Sequence, residues 1–72
     1  MLDDLTAREL GVLRLLSRGA LNREIAAELG IKEGTVRNVI ARVTQKLGVA
    51  DRMQAALLGY KAGLASDENR AA

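Results

Sequence analysis

The sequence predicts an all-α domain of four helices, on the basis of three observations. Apolar residues recur at helical spacing, and no run alternates with the period of two that marks a strand. Glycines follow the first three periodic segments, as expected at helix ends, at Gly19, Gly30 and Gly48. Two segments also begin with the Thr/Asp-x-x-Glu/Gln pattern of a helix start. The 72 residues make one small domain, placed at 1–65, and we expect the polar stretch 66–72 to be a disordered tail.

The composition predicts a folded protein with an aliphatic core and no catalytic chemistry. Hydrophobic residues make up 49% of the chain and charged residues 28%, and Tyr60 is the one aromatic residue. The chain has no Cys and no His, which excludes disulfides, thiolate nucleophiles and the commonest metal ligand and general base. We therefore expect no enzyme, no metal site and no cofactor. The longest uncharged stretch, 53–60, is too short to cross a membrane, and Asp3 and Asp4 do not suit a secretory signal, so we expect a cytoplasmic protein.

The first helix is predicted to begin at Thr6. Thr6 and Glu9 have the spacing of a capping box, in which each side chain accepts a backbone N–H of the other residue. Leu5, just outside the helix, can pack against Leu10 inside it, and Gly19 is the expected stop. The residues of this helix expected in the core are Val12, Leu13 and Leu16.

The second and third helices are predicted to be joined by a three-residue turn at 30–32, the arrangement of a helix-turn-helix. The second helix covers 22–29; Leu21 cannot cap it, so we expect Asn22 or water to do so. The third covers 33–47. The residues expected to be buried are Ile25, Ala26 and Leu29 in the second helix and Val36, Val39, Ile40, Val43 and Leu47 in the third.

The positive charge of the chain is concentrated around the third helix. Residues 31–52 contain five basic and two acidic side chains, an excess of +3 against +2 for the whole chain. A local basic stripe is typical of a nucleic-acid reader, although an ordinary solvated helix face has the same appearance. In a major groove, Arg37 suits guanine, Asn38 suits adenine, and the small Ala41 can approach a base edge. Phosphate contacts are expected farther along and at the helix start, from Arg42, Lys46 and Thr35.

The fourth helix is predicted to begin with a second capping box, Asp51 to Gln54, and to have two apolar sides. The side with small residues contains Ala55, Leu58, Gly59 and Ala62, and the side with larger residues contains Met53, Leu57, Tyr60 and Leu64. A helix of a single domain needs one apolar side, so we interpret the second as a homodimer contact. The alternative is that the first and fourth helices pack together and bury both sides.

Four blocks of the sequence resemble LuxR-type helix-turn-helix domains. They are LTARE at 5–9, NREIA at 22–26, EGTVRN at 33–38 and KLGVADRMQA at 46–55. These blocks occur in the family's order, and the resemblance extends from Leu5 to about Leu64.

The resemblance implies a bacterial transcription regulator, as in the output domains of two-component response regulators and quorum-sensing receptors. Its fold is a tri-helical core plus a C-terminal dimerisation helix, and its expected partners are double-stranded DNA with an inverted repeat, RNA polymerase, and a receiver or ligand-binding domain outside this chain. The length leaves no room for that domain, so we expect an excised output domain or a stand-alone regulator.

The residues assigned to DNA and to the dimer follow from the spacing and the resemblance together. Base contacts are assigned to Arg37, Asn38 and Ala41. Phosphate contacts are assigned to Asn22, Arg23, Lys32, Thr35, Arg42, Gln45 and Lys46. The dimer contact is assigned to Met53, Leu57, Tyr60 and Leu64.

The chain departs from the family pattern at four positions, one of which is Arg37, where the family usually has Lys. Leu21 and Lys32 stand where a capping Ser or Thr is usual, and Val39 stands where a recognition-helix His is common. Two alternatives to DNA-binding regulation are therefore kept. One is a protein-interaction module that retains the fold and has lost DNA binding. The other is a domain like region 4 of a sigma factor, which shares the helix-turn-helix core but lacks the KLGVADR continuation.

Overall fold

The computed structural model describes residues 2–66 and contains four α-helices in this part of the chain. They are α1 (Ala7–Ser17), α2 (Asn22–Leu29), α3 (Glu33–Leu47) and α4 (Arg52–Lys61), preceded by a 3-10 turn at Leu2–Asp4. No strand occurs between residues 2 and 66. The all-α prediction is confirmed, and the predicted bounds of the second and third helices agree with α2 and α3. Apart from Ser66, the predicted tail lies outside the described residues.

The ends of α1 are closed by the residues that the sequence indicated. The Thr6 hydroxyl oxygen accepts the Glu9 N–H at 3.1 Å, and the Glu9 carboxylate accepts the Thr6 N–H at 2.9 Å. At the other end Gly19 has a φ of 84°, a left-handed conformation that side-chain-bearing residues rarely adopt. This turn lets the Ala20 N–H donate to the Leu15 carbonyl at 3.2 Å, which completes the C-terminal cap.

The two helices of the helix-turn-helix begin without a side-chain cap. Leu21 and Lys32 occupy the cap positions of α2 and α3, and neither side chain accepts a hydrogen bond from the first turn. Asn22 is the first residue inside α2, so its expected role as the cap is wrong: the extended backbone of Leu21, with φ −78° and ψ 157°, already sets the helix start. One backbone donor is satisfied from within the helix, because the Glu24 carboxylate accepts the Leu21 N–H at 2.7 Å.

The core is built on one side of α3, which packs between α1 and α2 and also contacts α4. All the side chains of α3 predicted to be buried are buried. Leu13 of α1 and Ile25 of α2 are large, fully buried residues of the same core. Leu29 is half-buried against this core. The buried apolar residues are Val12, Leu13, Leu16, Ile25, Ala26, Val36, Val39, Ile40, Val43, Leu47, Ala55 and Leu64.

Asp51 caps the start of α4, because its carboxylate accepts the Gln54 N–H at 3.0 Å. The predicted capping box is only half formed, because the Gln54 side chain accepts the Ala50 N–H and not that of Asp51. The helix ends at Lys61, and Gly63 then turns the chain back with a φ of 84°.

The prediction that Leu64 belongs to the exposed apolar side of the fourth helix is wrong. Leu64 lies beyond the end of α4, where its N–H donates to the Gly59 carbonyl at 3.0 Å. The left-handed turn at Gly63 directs the Leu64 side chain into the core. Leu64 therefore helps to close the domain and is not available to a second copy.

Helices α1 and α4 pack closely at Gly59. A Cβ atom built on Gly59 would overlap the Ser17 hydroxyl oxygen and lie 3.2 Å from Cγ of Leu13. The Ser17 hydroxyl is held by a 2.7 Å hydrogen bond to the Leu13 carbonyl. The small-residue side of α4 thus packs on α1, and α1 does not cover the larger-residue side, so the alternative in which the two helices bury both sides is wrong.

Replacing Gly59 by Ala should destabilise the domain by about 1–3 kcal/mol, because the added methyl overpacks the contact with Leu13 and Ser17. Gly11→Ala is the matched control: its added Cβ would meet only Leu29, at an ordinary 3.8 Å. This control should be stabilised by about 0.5–1 kcal/mol through helix propensity. Urea unfolding followed by circular dichroism measures both effects. Equal stabilisation of the two variants would contradict the close approach of α1 and α4.

Candidate nucleic-acid interface

The outward side of α3 is polar and basic and meets no other part of the described chain. Its side chains occupy a sector of roughly 140° at about 100° per residue, opposite the buried stripe. Within residues 2–66 none of the polar members has a side-chain hydrogen bond or ion pair with another described residue. The exposed residues are Arg37, Asn38, Ala41, Arg42 and Gln45. All three predicted base-contact residues therefore lie together on an open surface.

Gly34 lies near the middle of this surface, although α3 itself does not require a glycine there. A Cβ atom added at Gly34 would meet only a terminal nitrogen of Arg37, at 3.6 Å. Gly34 and Ala41 lie about two turns apart on one strip of the outward side, and this strip carries no long side chain. A ligand can therefore approach the backbone of α3 closely along this strip, between Arg37 on one flank and Asn38 and Gln45 on the other.

The start of α2 is joined to the start of α4 by one side-chain hydrogen bond. The Arg52 guanidinium donates to the Asn22 side-chain oxygen at 2.9 Å. Because a guanidinium has only donors, the amide oxygen must face Arg52, and the amide NH₂ group is left to donate to another partner. Sequence reasoning missed this contact, which links residues 30 positions apart. The other predicted phosphate contacts near the helix-turn-helix, Arg23 and Lys32, are exposed, and Thr35 is half-buried.

Lys46 differs from the other predicted phosphate contacts because its ammonium group is bound to a carboxylate and a backbone carbonyl of the same domain. It lies 2.7 Å from the Glu9 carboxylate and 3.1 Å from the Asp4 carbonyl oxygen. On α3 it is roughly 180° around the helix axis from Arg37, at the edge that faces α1. Lys46 therefore does not lie on the outward side with Arg37, Asn38, Ala41, Arg42 and Gln45, and its prediction as a phosphate contact did not include this ion pair.

Glu9 is a buried carboxylate with two donors. The same oxygen accepts the Lys46 ammonium and the Thr6 N–H. The hydrogen bond from Lys46, followed by that from Thr6, lowers the pKa of Glu9 below its ordinary value of 4.5, and burial opposes this shift. Glu9 is therefore charged at neutral pH and joins α1 to α3.

Acid should destabilise the domain partly through Glu9. The pKa of Glu9 is lower in the folded domain than in the unfolded chain, so the unfolded chain takes up a proton first as the pH falls. The contribution of Glu9 to the free energy of unfolding is therefore complete above about pH 4.5 and is lost as the pH falls toward the folded-state pKa. Urea midpoints measured from pH 7 to pH 3 should fall more steeply below pH 4.5 for the wild type than for Glu9→Gln. Gln retains an oxygen for the Thr6 N–H but does not titrate, so parallel curves would contradict this role.

A second exposed surface lies on α4 and is apolar. The exposed fractions of Met53, Leu57 and Tyr60 are 77%, 52% and 64%. Leu21, at the start of α2, is 50% exposed, and this exposed leucine was not predicted from the sequence as part of an apolar surface. It lines an open groove with Leu16, Arg52, Met53 and Ala56. The larger-residue side of α4 is therefore uncovered in the single chain, as predicted for three of its four members.

The fold and these two surfaces define a helix-turn-helix domain. The family described as bacterial regulatory proteins, luxR family, matches residues 3–58, and the chain belongs to this family. Among residues 2–66, no helix is long and apolar enough to cross a membrane, and no group of acidic side chains is arranged to hold a metal ion.

Several bacterial proteins of known name are similar to the chain over most of its length. It is 48% identical over 85% of its residues to the transcriptional regulatory protein LnrK of Bacillus subtilis, and 49% identical over 82% to the response regulator RamR of Streptomyces coelicolor. It is 51% identical over 74% to the transcriptional regulatory protein DesR of Bacillus subtilis. The chain covers only 28%, 29% and 27% of these three relatives, so it corresponds to one part of longer proteins.

Proposed function

We propose that this domain binds double-stranded DNA in a sequence-specific manner as a homodimer and thereby regulates transcription. The observation that supports this most directly is the outward side of α3. The opposite side of this helix is buried in the core, and the basic and amide side chains of the outward side have no partner among the described residues. The relatives named as transcriptional regulators support the same function.

In this proposal α3 lies in the major groove and reads bases. Arg37 donates two hydrogen bonds to guanine O6 and N7, and Asn38 pairs with adenine N6 and N7. Ala41 presents only a methyl group, which suits contact with a thymine methyl. Gly34 and Ala41 let the helix backbone approach the base edges between the longer side chains.

The phosphates on either side of the groove are proposed to bind groups at the starts of α2 and α3 and along α3. The NH₂ group of Asn22, oriented by Arg52, donates to one phosphate. The uncapped first turns of α2 and α3 provide backbone N–H groups of the kind that phosphates accept. The remaining phosphate contacts are Arg23, Lys32, Thr35, Arg42 and Gln45.

The dimer is proposed to form through the exposed side of α4, with Met53, Leu57 and Tyr60 packed against the same residues of a second copy. Such a two-fold contact places two α3 helices on the same side of the DNA, so the target is an inverted repeat with half-sites one helical turn, about 34 Å, apart. Three side chains form a small contact, and we expect the dimer to be stabilised mainly when both copies are bound to DNA.

Further partners are proposed from the relatives of the chain. A relative named as a response regulator suggests a receiver domain, or else a ligand-binding domain, that controls this one. RNA polymerase is the proposed partner at the promoter, and the proposed location is the cytoplasm.

Arg37→Ala should weaken binding to the preferred site by about 1–3 kcal/mol and relax the base preference at one position, because a bidentate base contact is lost. Arg8→Ala, which removes the same charge from an exposed position on α1, is the control and should bind nearly as the wild type does. Sites selected from a random DNA pool provide the probe for fluorescence anisotropy. If Arg37→Ala binds as tightly and as selectively as the wild type, α3 is not the reader. Absence of any selected sequence would favour the protein-interaction module.

Leu57→Asp should abolish cooperative binding to an inverted repeat while leaving the affinity for a single half-site unchanged, because a charge is placed within the apolar contact. The control is Ala7→Asp, which adds the same charge at an exposed position on α1 and should retain the wild-type ratio of full-site to half-site affinity. Gel-shift titrations on both DNAs give this ratio. A wild-type ratio for Leu57→Asp would place the dimer contact elsewhere.

A further inference from the structure

Lys46 joins three separate segments of the chain. It belongs to the last turn of α3, and its ammonium group binds the Glu9 carboxylate of α1 at 2.7 Å. It also donates to the carbonyl oxygen of Asp4, in the turn that precedes α1, at 3.1 Å. The carboxylate and the ammonium therefore connect the C-terminal end of α3 to the start of the domain.

This ion pair differs from an ordinary surface pair because one partner is buried. The side chain of Glu9 is 6% exposed, whereas that of Lys46 is 36% exposed. If the ammonium moved to a DNA phosphate, Glu9 would keep a buried charge with only the Thr6 N–H as a donor. Leaving a buried charge without its counter-ion is strongly unfavourable, so the ammonium group should remain on Glu9 when the domain binds DNA.

We infer that Lys46 is a positioning residue of α3 and not a phosphate contact. This inference rests on the proposed function. Lys46 holds the C-terminal end of α3 against α1, and thereby fixes the angle at which Arg37, Asn38 and Ala41 project from the domain. Arg42, one turn earlier and on the outward side, supplies the phosphate contact at this end of α3.

The dependence of DNA affinity on salt separates these two roles. Each phosphate contact that is lost lowers the slope of log affinity against log salt concentration by about 0.9. Arg42→Met should show this decrease. The double variant Glu9→Gln/Lys46→Met keeps the net charge of the wild type and should keep its slope, because the two charges that it removes neutralise each other. The remaining oxygen of Gln still accepts the Thr6 N–H, which favours folding of the double variant.

A second readout distinguishes positioning from a contribution to stability alone. In fully folded protein at low temperature, the ratio of specific to non-specific DNA affinity should fall roughly tenfold in the double variant, the equivalent of about one base contact. Lys46→Arg retains the cation beside Glu9 and should restore most of this ratio. Circular dichroism at the same temperature verifies that each variant is folded.

The salt slope and the specificity ratio together show whether Lys46 positions α3, contacts a phosphate or only stabilises the fold. A slope reduced by about 0.9 in the double variant would make Lys46 a phosphate contact and overturn the inference. An unchanged slope together with an unchanged specificity ratio would also overturn it, since Lys46 would then only stabilise the fold. Failure of the proposed function has a different signature: the wild type itself would show no specific binding, and Arg42→Met would not alter its salt dependence.

Discussion

Burial of the aliphatic stripe of α3 is the constraint on which the rest of the structure depends. Five side chains along one side of this helix are buried, and α1, α2 and α4 are arranged around them. Without aromatic residues in the core, these contacts rely on close approach of small and branched side chains. Because the stripe fixes the rotation of α3 about its axis, it also fixes which residues project outward. The proposed reading surface is thus a direct consequence of the core.

The same constraint explains why α4 retains an uncovered apolar side. Gly59 and Ala55 bring α4 close to α1, and Leu64 closes the end of the core after the turn at Gly63. No residue between 2 and 66 covers Met53, Leu57 or Tyr60. In the proposed dimer, stability and association are therefore assigned to opposite sides of one short helix.

Features set by local sequence could be predicted, and features set by distant contacts could not. The capping box of Thr6 and Glu9 and the bounds of α3 depend on residues within a few positions of one another. The 37-residue separation of Lys46 from Glu9 leaves no periodic signal, so the sequence predicted a phosphate contact for Lys46 without its ion pair to Glu9. Leu64 was misplaced for a related reason, since helical spacing was extended past Gly63, where the backbone reverses.

We propose that DNA binds the outward side of α3 in the orientation fixed by the core. A titration of ¹⁵N-labelled protein with a selected DNA site, followed by backbone amide NMR shifts, tests this proposal. We expect the largest shifts at residues 34–45 and at the start of α2, with small shifts at Glu9 and Lys46. Shifts confined to α4 and the groove beside Leu21, with α3 unaffected, would contradict it.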